Sequence, residues 1–184
     1  MNMNKGKIDF KLVDGTELEF INENAENIIN KWNSKNNDPP VPVGIEKKVW
    51  DKLIEEVMNT NDAIKNPRVF CLFMKKGKPR YVVETKEIEK EKIRINRRGI
   101  IRWEIKKYPA RESPNRIGGI CFIRGDVQLK LDDAWWMGRE LTDLRILLNK
   151  KDEKTIEVLA CWSRGSTSGN GTDGEVCPVK LIIS

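Results

Sequence analysis

From Lys7 to Phe20 apolar and polar residues alternate, with Ile8, Phe10 and Leu12 before Asp14-Gly15 and Leu18 and Phe20 after it. A period of two belongs to a strand with one wet face, and Asp-Gly suits a type I′ turn because both central residues need positive φ; the stretch predicts a hairpin. Ala25, Ile28, Ile29 and Trp32 then recur at helical spacing, with Asn22 or Asn24 placed to cap the first turn. The segment SKNNDPPVPVG, 34 to 44, is polar and then proline-rich. Proline has no N–H to give a ladder, so this segment predicts neither helix nor central strand and reads as a linker.

Ile45, Val49, Leu53, Ile54, Val57 and Met58 form one apolar stripe, which predicts a helix with one buried side. RVFCLFM, 68 to 74, is apolar throughout, as a strand covered on both faces would be, and Lys76-Gly77-Lys78-Pro79 turns it into RYVVET. Ile93 and Ile95, a turn at Asn96 to Gly99, then Ile101, Trp103 and Ile105 predict a second hairpin. RIGGICFI reads as a buried strand and Asp133 to Leu144 as a helix. RILLN and TIEVLACW form two strands around the turn KKDEK, GSTSGNGTDG is a loop, and VKLII is a last strand.

This order predicts an α/β fold: a mixed, curved sheet flanked by helices over 45–184, a Pro-rich linker over 37–44, and a small N-terminal ββα appendage over 1–36. Residues 41 to 184 resemble the JAB/MPN domain, the fold of the JAMM metalloproteases and their inactive relatives. The likeness lies in the helix GIEKKVWDKLIEEVM, the hairpin NPRVFCLFMKKGKPRYVVE, the Gly-led strand GGICFIRGDVQLKLDD, and the pair LRILLN and IEVLACW. Active members hold zinc with a Glu near the first strand, a His-x-His-Pro and a Ser-x-x-Asp. Here Pro67-Arg68-Val69, Cys121-Phe122-Ile123-Arg124 and Leu129 or Lys130 stand in those regions, and only Asp132 or Asp133 remains. The resemblance therefore implies a member without its metal, a scaffold that pairs with another JAB/MPN-fold chain or holds a protein partner.

Composition narrows the chemistry. Among 184 residues there is no histidine, which removes the usual general base and the commonest zinc ligand. Cys71, Cys121, Cys161 and Cys177 are widely separated, and the first three sit in apolar runs, so they predict buried thiols and neither a zinc site nor disulfides. No cofactor or metal is expected. No run of about eighteen apolar residues or apolar N-terminal stretch occurs, so the expectation is a soluble, cytoplasmic chain with no membrane partner.

Charge supplies the binding candidates. The chain carries a net charge of +6, and Thr85 to Lys107 holds nine basic and four acidic residues. Arg94, Arg97, Arg98, Arg102, Lys106 and Lys107 with Trp103 form a basic hairpin suited to phosphates or stacked bases. Trp135 and Trp136 point about 100° apart on a helix, so one of them is a candidate interface anchor. Asp132 and Asp133 read as a helix cap. Glu84-Thr85-Lys86 matches the Glu-x-Lys half of a restriction-type nuclease core, in which the Glu binds metal and the Lys polarises the attacking water. The sequence thus favours a non-catalytic binding or scaffold module, with a metal-dependent nuclease and a nucleic-acid-binding protein as alternatives.

Overall fold

The computed structural model describes residues 7–32, 40–63, 65–78, 80–89, 93–95, 101–103, 114–123, 144–164 and 175–184. Its strands are β1 (Asp9–Leu12), β2 (Glu17–Phe20), β3 (Val41–Ile45), β4 (Arg68–Met74), β5 (Tyr81–Glu87), β6 (Ile93–Ile95), β7 (Ile101–Trp103), β8 (Arg116–Ile123), β9 (Leu144–Lys150), β10 (Thr155–Arg164) and β11 (Glu175–Ile183). Two helices accompany them, α1 (Ala25–Trp32) and α2 (Lys47–Met58). Asn24 caps α1 as expected, its Oδ1 accepting from the Glu26 N–H at 2.9 Å.

Seven strands close into a barrel in the order β10-β9-β8-β4-β5-β3-β11, and β11 returns to β10 through Cys161↔Pro178 to Arg164↔Glu175. Alternate residues of every barrel strand enter one apolar cluster, among them Val43, Phe70, Leu72, Val82, Cys121, Ile146, Val158 and Leu181. That cluster is the lumen. Helix α2 adds Val49, Trp50, Leu53, Ile54 and Val57 to it. The helix lies across the barrel end where β9 and β11 finish and β4 begins, because Lys150 Nζ donates to the Met58 carbonyl, Lys47 N–H to the Ser184 carbonyl, and Arg68 pairs with Glu56. Arg68 also forks onto Glu87 at 2.6 and 2.7 Å, and these hydrogen bonds hold its guanidinium above the ordinary arginine range. The lumen is a packed core, not a channel.

The expected sheet flanked by helices is therefore corrected to a closed, mostly β barrel with two short helices among the described residues. The reason lies in the outer face. Val69, Cys71, Phe73, Ile120, Phe122, Leu147, Leu159 and Cys161, from β4, β8, β9 and β10, are buried there in a second cluster. Strands buried on both faces read as continuous apolar runs, the pattern of a layered α/β sheet, although here one of the two faces is a lumen.

The proline-rich stretch is a second correction. VPVGI is a fully buried strand between β11 and β5, not part of a linker. Gly44 and Glu46 donate their N–H groups to Arg80 and Val82 of the β5 side. Pro42 has the same parity but precedes the first β3–β5 pair, Gly44↔Tyr81, so no ladder bond is lost.

The predicted N-terminal turn forms, with φ of 47° at Asp14 and 83° at Gly15 and the Thr16 N–H donating to the Val13 carbonyl. Its strands do not stand apart as an appendage. Strand β1 runs parallel to β10 and β2 parallel to β11, and the turn enters the fork between those two barrel strands. There Thr16 Oγ1 accepts from the Ala160 N–H at 2.9 Å, and a Cβ on Gly15 would stand 3.0 Å from Pro178. The predicted helix over 133–144 and the loop 165–174 lie outside the described residues, save that Leu144 opens β9.

Candidate nucleic-acid interface

The predicted hairpin over 93–103 is present as a two-stranded sheet of its own, β6 with β7, outside the nine-stranded sheet. Its register pairs Ile93 with Trp103, Arg94 with Arg102, and Ile95 with Ile101. Alternation then places positions 94 and 102 on one side of the ribbon and 93, 95, 101 and 103 on the other. Directly opposed residues lie roughly 5 Å apart, and like charges in that relation destabilise the pair. Arg97, Arg98, Lys106 and Lys107 fall outside the described residues, as do Trp135, Trp136, Asp132 and Asp133.

The nuclease candidates fall elsewhere. Glu84 pairs with Phe73 and Lys86 with Cys71, which puts both on the outer face of the barrel beside the second apolar cluster. Asn115 Nδ2 donates to Glu84 Oε2 at 3.2 Å. The next acid on the strand, Glu87, is held by Arg68. Among the described residues no group of three or more His, Cys, Asp or Glu side chains is placed to hold a metal ion.

The cysteines are buried thiols, as the apolar runs implied. Burial pushes Cys71 up to about 12, and Cys161 likewise to about 12 against the opposing pull of Arg145. Cys121 is raised further by the same cause. A buried thiol held protonated is a poor nucleophile.

A feature the sequence reading missed lies at the barrel end that carries the β4–β5 turn. The Arg80 guanidinium stands 5.3 Å over the Trp162 ring. Strands β3 and β11 lie between β5 and β10 in the barrel order, so this contact reaches across the barrel end. Arg80 adopts a φ of 77°, rare for a residue with a side chain. Its N–H donates to Met74 Sδ at 3.2 Å and its carbonyl accepts from the Gly44 N–H at 2.8 Å, which hold that backbone in place. No local pattern joins residues 80 and 162; only the closed barrel brings them together.

No protein-family model matches the chain, and no curated protein sequence matches it.

Proposed function

We propose that the chain is a non-catalytic binding module whose ligand is a nucleic acid, gripped through its phosphates by the basic ribbon β6–β7. The observation that carries this reading is the register of Arg94 opposite Arg102. Two cations facing each other across a ladder cost the fold free energy, and an anion lying against that side offsets the cost. The surrounding excess of basic residues over 85–107 and the net charge of +6 favour a polyanion over a single phosphate. The packed lumen favours recognition at the surface over a ligand held inside the barrel.

Titration of a labelled oligonucleotide at several salt concentrations tests it. Binding should weaken steeply with salt, and alanine at both Arg97 and Arg98 should lower the log-log slope by nearly two, about 0.7 to 0.9 for each lost phosphate contact. Absence of retention on DNA and on RNA at low salt would overturn the reading. A protein partner is the second reading, favoured by Leu12 and Phe20, the large apolar side chains exposed among the described residues at 41% and 53%.

A further inference from the structure

We infer that strand β2 is a docking edge for an extended segment of a partner protein, one that alternates apolar and basic residues and adds to β2 as a further strand; this rests on the protein-partner reading above and is independent of the ribbon. The backbone shows the opening. Asp9 N–H donates to the Lys154 carbonyl and Val13 N–H to the Val158 carbonyl, while Ile21 N–H donates to the Ile183 carbonyl. Bonding direction alternates along a strand, so Phe10 and Leu12 turn their N–H and C=O groups away from β10, and Leu18 and Phe20 turn theirs away from β11. Among the described residues β1 and β2 form no ladder with each other, and each bonds one barrel strand. An edge of this kind is a template for another chain.

The side chains decide which segment fits. Phe10, Leu12, Leu18 and Phe20 are the ladder partners of Ile156, Val158, Leu181 and Ile183, so they extend the lumen-facing rows of the barrel. Those rows run out into water: Leu12 is 41% and Phe20 53% exposed, with the Phe10 ring 6.2 Å from that of Phe20. A further strand beside β2 would continue them and cover Phe20. The other face of β2 is acidic. Glu17 and Glu19 lie there, both exposed; Lys180 holds Glu19, and no salt bridge holds Glu17 among the described residues. On the same face of β1 stands Lys11, which repels a basic guest and so selects β2. Apolar residues on the lumen side and lysine or arginine on the other therefore complement β2 on both faces. A second copy offering its own β2 would set carboxylate against carboxylate, which cross-strand spacing penalises. Main-chain bonds for affinity and alternate side chains for selectivity are the physics of strand addition.

The test uses the full-length protein and three short labelled peptides: alternating Val-Lys, alternating Val-Glu, and the Val-Lys peptide with every backbone nitrogen methylated. Anisotropy measures affinity, amide hydrogen exchange locates the contact, and circular dichroism melts accompany every variant. The Val-Lys peptide should slow exchange at the Leu18 and Phe20 amides and bind about tenfold more tightly than the Val-Glu peptide. Methylation should abolish binding. Phe20→Ser and Glu17→Lys should each weaken it several-fold. Phe20→Pro, which removes an N–H from the open edge and no ladder bond to β11, should abolish it. Arg94→Ala/Arg102→Ala should bind the peptide as wild type does. Binding that survives methylation, or that leaves the Leu18 and Phe20 amides unprotected, would overturn the inference; if it still weakens in Phe20→Ser, the protein-partner reading stands. Self-association of the wild type in sedimentation velocity, lost in Phe20→Pro, would overturn it in favour of a second copy. No binding of any peptide would overturn both the inference and the reading beneath it.

Discussion

The N-terminal strands β1 and β2 and the ribbon strands β6 and β7 are both short pairs close together in the sequence, yet they take their hydrogen-bond partners in opposite directions. Strands β1 and β2 bond outward, each to a barrel strand, and stand at the two ends of the nine-strand order. Strands β6 and β7 bond to each other in a separate sheet. Their charges differ in the same way. Lys11 reaches the buried Glu157 at 3.8 Å, and Glu19 meets Lys180 at 2.7 Å, so these charges on β1 and β2 are matched by the barrel. On the ribbon, the register sets position 94 opposite position 102, an arginine at each. Charges that serve a fold are arranged to attract, and on the proposed reading the like-charged register of the ribbon is offset by a bound anion.

Breaking the seat of β1, β2 and the turn between them should therefore damage the fold. The largest effect is expected at Trp50, buried in the lumen with its ring 5.5 Å from Phe10 of β1. Trp50→Ala should cost about 3–5 kcal/mol, measured by urea unfolding. Thr16→Val removes the hydroxyl that serves both the N–H and the carbonyl of buried Ala160, and should cost about 1–3 kcal/mol in the same assay. Gly15→Ala must take a Cβ at φ 83° and 3.0 Å from Pro178, for a loss of about 1–2 kcal/mol, visible as a lower Tm.

A smaller effect is tied to pH. Burial raises the Cys71 thiol from 9.0 to about 12, so the folded state holds its proton where the unfolded chain releases it. The resulting stability is fully present below pH 9 and is lost as pH rises from there toward 12. Unfolding free energy should be flat across neutral pH with respect to this group and decline in alkali, and a thiol reagent at pH 8 should label the four cysteines only on unfolding.

Much of the element list was legible from local pattern. The Asp14-Gly15 turn, the Asn24 cap, the α2 stripe, RVFCLFM, RIGGICFI, RILLN and the 93–103 hairpin all lie where periodicity and turn chemistry put them. Strand order was not legible. Parallel pairs such as β8 with β9 and β3 with β11 leave no mark on neighbouring residues, and closure through Cys161↔Pro178 is a long-range event. VPVGI was hidden because a proline signal is read without knowing which side of the strand its missing N–H faces. The ribbon was visible as a density of charge, whereas the opposition of Arg94 and Arg102 required the register. Arg80 and Trp162 carried no local signal.

The smallest expected effect on stability is also the sharpest test of the contrast between the two strand pairs. In Arg94→Ala/Arg102→Ala, removal of a like-charged cross-strand pair should leave the Tm unchanged or raise it, by the equivalent of about 0.2–1 kcal/mol. Nucleic-acid affinity at low salt, measured on the same preparation, should fall, and the log-log salt slope should drop by nearly two. An affinity and slope equal to wild type would contradict the account, as would a lowered Tm, because the arginine pair would then serve the fold and not a ligand.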